Sequence, residues 1–327
     1  VKETVMPTIR IDLQQLQAEG LIGDDLARLI ETRAVPDSRS GLFVNLSLIM
    51  GALAVAAGTI ALVPDATTGL ILAILAIAAA EMTRRFAPGA SLKVLSAGLA
   101  LMGVLGLAGW IGWQYEDAAD TTLPALLITL LLGAGAVWFR SAFLMVLSVL
   151  AFGAVFGTGT GYWHACYGLF VEQPVMTILV FGALTAGLYA LRGRIGAVWQ
   201  TLAGIAARTA FFLVNFAFWV GSLWGDDLGP DYRYGEGNDW EAWRAATPHV
   251  PEAAFSIGWP LLLIAVMARS RNGGFLSVTA TVFLAIHAYT QYFETFGAHP
   301  WTLVIGGIGL VGLAVGAAKL MKPQTAA

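Results

Sequence analysis

The sequence predicts an all-α protein: a polytopic membrane helix bundle of about ten transmembrane helices, with a short amphipathic helical hairpin at its N-terminus. Three observations carry this. Of the 327 residues 57% are hydrophobic and only 12% charged, with a mean hydropathy of +0.73, whereas an ordinary soluble domain carries about 25% charged residues. So few charges cannot give a globule a water-facing skin, and lipid is the solvent that suits such a surface. Apolar runs recur along the chain at close to the roughly 20 residues that cross about 30 Å of hydrocarbon. Basic residues, finally, segregate. With the N-terminus inside, all 18 lysines and arginines except Arg233 and Arg244 fall on one face. This is a strong positive-inside pattern, and it requires an even number of spans with both termini cytoplasmic.

Residues 1–38 form the first unit. In "IDLQQLQAEGLIGDDLARLIETRAVPD" Leu13 and Leu16, then Leu26, Leu29 and Ile30 beyond Gly20, recur at three- and four-residue spacing, the period of an amphipathic helix. Gly23-Asp24-Asp25 supplies an N-cap and an acidic first turn for the second helix, and Pro36 ends it. A hairpin this short buries little alone, so it docks on its own membrane domain or on a protein partner. The first long apolar run begins near Leu42, too late for a signal peptide. Val1 reads as the literal translation of an alternative start codon, with Met6 as initiator.

Residues 39–327 form the helix bundle. The expected spans are Leu42–Val63, Ala66–Met82, Val94–Trp113, Leu123–Phe139, Ala142–Phe156, Val175–Leu191, Thr209–Trp224, Ala253–Ala268, Phe275–Tyr292 and Trp301–Ala318. Pro64, Pro124, Pro174 and Gly273-Gly274 punctuate them. "RIGAVWQTLAGIAAR", Arg194 to Arg208, is too short and polar for a span. It reads as a separate interfacial helix before the span from Thr209, because burying Arg208 in lipid would cost about 2.5 kcal/mol or more. The loop 225–252, with two arginines and two tryptophans, reads as a small cap over the outer face or as a surface for a protein partner. Its carboxylates match no EF-hand spacing.

Few residues carry chemistry. "GTGTGYWHACYG", Gly157 to Gly168, lacks the lysine of a phosphate loop and reads as a flexible outer or re-entrant loop. His164 and Cys166 within it are two ligands short of a closed metal site, so no metal or cofactor is expected. Cys166 is the single cysteine, which excludes an internal disulfide. Glu81 has Arg84 and Arg85 at pairing distance on one helix. Asn215, and Asn45 near the start of the first span, are candidate intramembrane polar contacts between helices. Gly103, Gly106 and Gly109, and the Gly312/Gly316 pair, read as close-packing faces. The candidate polar face is in "FLAIHAYTQYFETFGAHP": His287, Gln291 and Glu294 follow at i, i+4 and i+7 near the outer end of the ninth span. They either hydrogen-bond inside the bundle or form a proton-sensitive lining of a polar vestibule. No HExxH or GxSxG pattern occurs, so no enzyme is expected. A net charge of −3 gives no reason to expect nucleic acid.

The "LQQLQAEGLIGDDLARLIE" leader followed by many apolar runs, and the late "FLSVTATVFLAIHAYTQYFETFG" block, resemble bacterial integral membrane protein families classed as domains of unknown function, of the domain of unknown function 2157 kind. That resemblance implies the bacterial inner membrane and carries no reaction or ligand. The function it leaves open is a non-enzymatic scaffold or accessory subunit of an envelope system. The alternative is a proton-coupled secondary transporter of a small molecule, with a polar outward vestibule near the His287/Glu294 face.

Overall fold

A chain in lipid must satisfy its backbone polar groups internally, and helices do so within one segment. The computed structural model describes residues 65–320 apart from 87–89, 119, 164–165, 192, 230–239, 270–273 and 298, together with the isolated residues 23, 25, 26, 50, 51 and 54. The expected span Leu42–Val63, Asn45 and almost all of the N-terminal hairpin lie outside the described residues.

Ten helices are described: α1 (Ala66–Phe86), α2 (Ala90–Gln114), α3 (Thr122–Phe139), α4 (Ala142–Ala154), α5 (Pro174–Leu191), α6 (Ala197–Trp224), α7 (Trp240–Ala246), α8 (Glu252–Arg269), α9 (Phe275–Phe296) and α10 (Pro300–Leu320). Two small antiparallel pairs accompany them, β1 (Thr158–Trp163) with β2 (Cys166–Val171), and β3 (Asp226–Asp227) with β4 (His249–Val250). Among the described residues six helices are long and apolar enough to cross a membrane: α1, α2 from Leu92, α3, α5, α6 from Trp199, and α8. This makes the chain a polytopic membrane protein, with six of the ten expected spans matched in length and composition among the described residues. Helix α4 is short, at 13 residues, and the expected span Leu42–Val63 lies outside the described residues. Helix α9 has the length, at 22 residues, but carries the polar cluster around His287.

Helix ends follow local chemistry. Asp65 Oδ2 accepts from the Thr67 N–H and Asp120 Oδ1 from the Thr122 N–H, satisfying donors that a first turn leaves orphaned. Arg140 closes α3 in the left-handed conformation at φ 53°, and Ser141 caps α4 by accepting from the Leu144 N–H.

Helix α6 is the hub. It packs against α4, α5, α8, α9 and β2, and 61% of its apolar window is buried, against 17–28% for the other five. One core joins α4, α5 and α6 through Val149, Phe181, Ala210 and Val214. A second joins α2, α3 and α4 through Val104, Leu132 and Leu144. A third joins α8 and α9 through Trp259, Leu263, Ala280 and Phe283, with Phe218 and Trp219 of α6 against it.

Two expectations are corrected here. The segment Arg194–Arg208 is not a separate interfacial helix, because α6 runs unbroken from Ala197 to Trp224. Arg208 stays exposed on it, its guanidinium 5.2 Å from the Phe275 ring centroid at the first residue of α9. A cation–π contact and an exposed position take the place of the break. Gly157–Gly168 is not a flexible loop either, since it lies largely within the β1–β2 ladder, where Trp163 pairs with Cys166. The alternation in "TGTGYW" is the period of a strand, and β-branched and aromatic residues favour it.

Of the packing glycines, two meet a neighbour closely. A Cβ on Gly103 would lie 2.8 Å from the Ala73 carbonyl oxygen and 2.9 Å from the Ile77 nitrogen, so α1 and α2 touch backbone to backbone there. A Cβ on Gly106 would lie 2.9 Å from that of Ala73, whereas Gly109 and Gly312 face nothing within 4 Å among the described residues. The side-chain surroundings of Gly316 lie outside the described residues. Gly103→Val should therefore separate α1 from α2 and lower the thermal unfolding temperature, at a cost of about 1–3 kcal/mol. Gly109→Ala should leave it unchanged or slightly raised.

Candidate functional site

The expected polar face begins on α9 and is decided by α8. Pro260 lies inside α8 and has no N–H, so it cannot donate to the carbonyl four residues earlier, that of Ser256. His287 supplies the missing donor. Its Nε2 lies 3.0 Å from the Ser256 carbonyl oxygen. A carbonyl only accepts, so Nε2 carries the proton, and Nδ1 is left buried without a hydrogen-bond partner among the described residues. The imidazole is 6% exposed and stands edge-on to the Trp259 indole, 4.9 Å between centroids.

Trp259 extends the cluster to α6. It is 0% exposed, and its Nε1–H donates to Asn215 Oδ1 at 3.0 Å. Asn215 Nδ2 donates to the Phe211 carbonyl of its own helix at 2.7 Å. The Trp219 Nε1–H donates to Thr290 Oγ1 at 3.1 Å, and the Ser256 hydroxyl reaches the Ser222 carbonyl near the end of α6 at 3.4 Å. Helices α6, α8 and α9 thus meet through polar groups that lipid could not satisfy.

The rest of the face is not gathered. Gln291 is half-buried and Glu294 is exposed, the latter about 10 Å along the axis from His287 at 1.5 Å per residue. Among the described residues the polar contact of His287 is the Ser256 carbonyl, so His287 and Glu294 do not form a pair. Sequence reasoning singled out His287 and Asn215 but missed Pro260, whose place four residues after Ser256 and inside an apolar run was the available signal. Glu81 accepts from Arg84 and Arg85 and also from the Trp138 indole of α3, at 3.2 Å.

A second constellation lies at the end of the bundle that carries both strand pairs. Gly225 follows α6 at φ 70°, a left-handed value, and a Cβ there would lie 2.6 Å from the Val250 carbonyl oxygen. This turn carries Asp226 inward, to 4% exposure, where its Oδ2 accepts from the Val175 N–H in the first turn of α5 at 2.6 Å. Its Oδ1 is buried and has no hydrogen-bond partner among the described residues. The adjacent Asp227 is engaged by Arg244 of α7 and by His249 Nδ1 at 2.7 Å. Among the described residues no three histidine, cysteine or acidic side chains converge as a metal site would need. A cavity of about 640 Å³ also opens at this end, lined by Thr121, Leu150, Thr158, Glu172 and Phe212 among others.

Burial pushes the Asp226 carboxyl up from its ordinary value, against the Val175 N–H and with the help of the neighbouring Asp227 charge. The folded value then exceeds the unfolded one. Asp226 contributes its full stability below the unfolded value of about 4 and loses it as pH rises through the folded value. Thermal melts of wild type and Asp226→Asn across this range should diverge, wild type losing stability relative to the variant as pH rises.

A double-mutant cycle tests the Pro260 account. His287→Ala should cost about 1–3 kcal/mol, because it orphans a buried carbonyl. In a Pro260→Ala background, where the helix N–H returns, the same substitution should cost clearly less, with a coupling of about 1 kcal/mol in unfolding measurements. No family model, curated protein or solved structure matches the chain.

Proposed function

We propose that the chain is a non-enzymatic scaffold or accessory subunit of an envelope system, set in the bacterial inner membrane with both termini cytoplasmic. The observation that carries this reading is the use made of the polar groups between helices. Asn215, Trp259, His287 and Ser256 bond to one another or to freed backbone, and α1 and α2 close backbone to backbone at Gly103. Groups spent on holding helices together favour a bundle whose work is done at its ends. The likeness of the leader to the helical hairpin of bacterial membrane families of unknown function supports placing a partner there, and the cap around Asp227 is the other candidate surface.

One observation favours the second reading, a proton-coupled secondary transporter. Pro260 interrupts the hydrogen-bond ladder of α8 beside a histidine, and interrupted helices mark many transport sites.

Affinity purification separates the two readings. Deleting residues 1–38 should leave membrane insertion intact and remove the co-purifying proteins, and an unchanged set counts against the scaffold. In reconstituted vesicles with an internal pH dye, the scaffold predicts no proton flux under an imposed gradient. A flux abolished by His287→Asn or Glu294→Gln would establish the transporter instead.

A further inference from the structure

The buried carboxylate at the strand-bearing end has no ion-pair partner among the described residues. Asp226 lines two small cavities of about 250 Å³ each. Oδ2 is held by the Val175 N–H, while Oδ1 has no hydrogen-bond partner among the described residues. The nearby described cations do not supply one, because Arg244 and His249 both engage Asp227. One cavity is bounded by three carboxylates, Glu172, Asp226 and Asp227, and by two indoles, Trp224 and Trp243. Carboxylates give a cation its field, and indole faces attract cations.

The same residues exclude some cations. Calcium requires six or more converging oxygens, and no three candidate ligands converge among the described residues. The cavity lies below the roughly 300–1,000 Å³ of sites for drug-sized molecules. We propose that the cavity bounded by Trp224, Trp243, Glu172, Asp226 and Asp227 binds a small organic ammonium cation. The carboxylate field of Asp226 and the two indole faces would supply its recognition. The upward displacement of the Asp226 carboxyl agrees with this, since burial is its main cause and outweighs the Val175 N–H. A bound ammonium would reverse it. The site is independent of whether the chain is a scaffold or a transporter.

The test uses the full chain in detergent micelles, with tetramethylammonium chloride as probe and sodium chloride and calcium chloride as controls at equal ionic strength. Melting temperature and isothermal titration are read together. Tetramethylammonium should raise the melting temperature saturably, and sodium should not. Asp226→Asn, which keeps an acceptor for the Val175 N–H, should weaken binding about tenfold or more, as a lost cation contact of this kind does. Trp224→Leu, at an indole 68% exposed and so tolerant of change, should weaken it in the same direction and keeps the test open if the Asp226 variant fails to fold. Equal responses to sodium and tetramethylammonium, or tetramethylammonium binding unaltered in both variants, would overturn the proposal. A calcium response larger than that to tetramethylammonium would also overturn it, in favour of a metal. So would a wild-type melt that acid alone stabilises and tetramethylammonium leaves unchanged, which would give the compensating charge to a proton.

Discussion

The carbonyl of Ser256 is the point on which the α6–α8–α9 half of the bundle depends. A proline at position 260 leaves it without its intrahelical donor, and in a lipid-facing structure no water waits to replace that donor. The neighbouring helix must therefore bring one, and His287 does. Placing His287 there sets the rotation of α9 against α8, and the imidazole in turn lies against Trp259. Trp259 can be fully buried only because Asn215 accepts its indole N–H. One missing hydrogen bond thus accounts for the contacts of three helices.

The other half rests on shape rather than polarity. Helices α1 and α2 approach closely because Gly103 and Gly106 offer no side chain where Ala73 and Ile77 come near. Single hydroxyl bonds then lock neighbours in register, Ser96 onto the Ala80 carbonyl and Ser148 onto the Thr129 carbonyl. Between apolar helices in lipid there is no hydrophobic force to be gained, so close packing and such bonds carry the association. At the strand-bearing end the logic changes again. There Thr158 of β1 meets Thr177 of α5 at 3.2 Å, and Asp226 caps the first turn of the same helix. The connection after α4 and the connection after α6 are both tied to α5. The strand pairs are therefore fixtures of the bundle rather than loose excursions from it.

Legibility in the sequence followed the range of the interaction. Helix positions were readable because apolar length is a local property, and the bounds of α3, α5 and α9 differ from the expected spans by a few residues. Glu81 with Arg84 and Arg85 was readable for the same reason, since partners three and four residues apart share a helix face. The β1–β2 ladder was missed although its alternation was local, because the glycines within it suggested a loop more readily than a strand. The continuity of α6 was missed because a charge at Arg208 looked intolerable until the Phe275 ring of another helix was beside it.

Composition and periodicity by themselves determined that this chain is helical, suited to lipid and divided into apolar runs. Those properties are sums over neighbouring residues and need no partner. What His287, Asn215 and Asp226 do was decided only by tertiary structure. The sequence spaces His287, Gln291 and Glu294 as one face, yet the fold buries the first against Ser256 and leaves the last in the open. Asp226 and Asp227 are adjacent in the chain, yet one is sealed beneath α5 and the other is held by Arg244 and His249. A polar side chain takes its role from the donor or acceptor that meets it. In these cases the meeting group lies on another element, from 17 to 51 residues away in sequence.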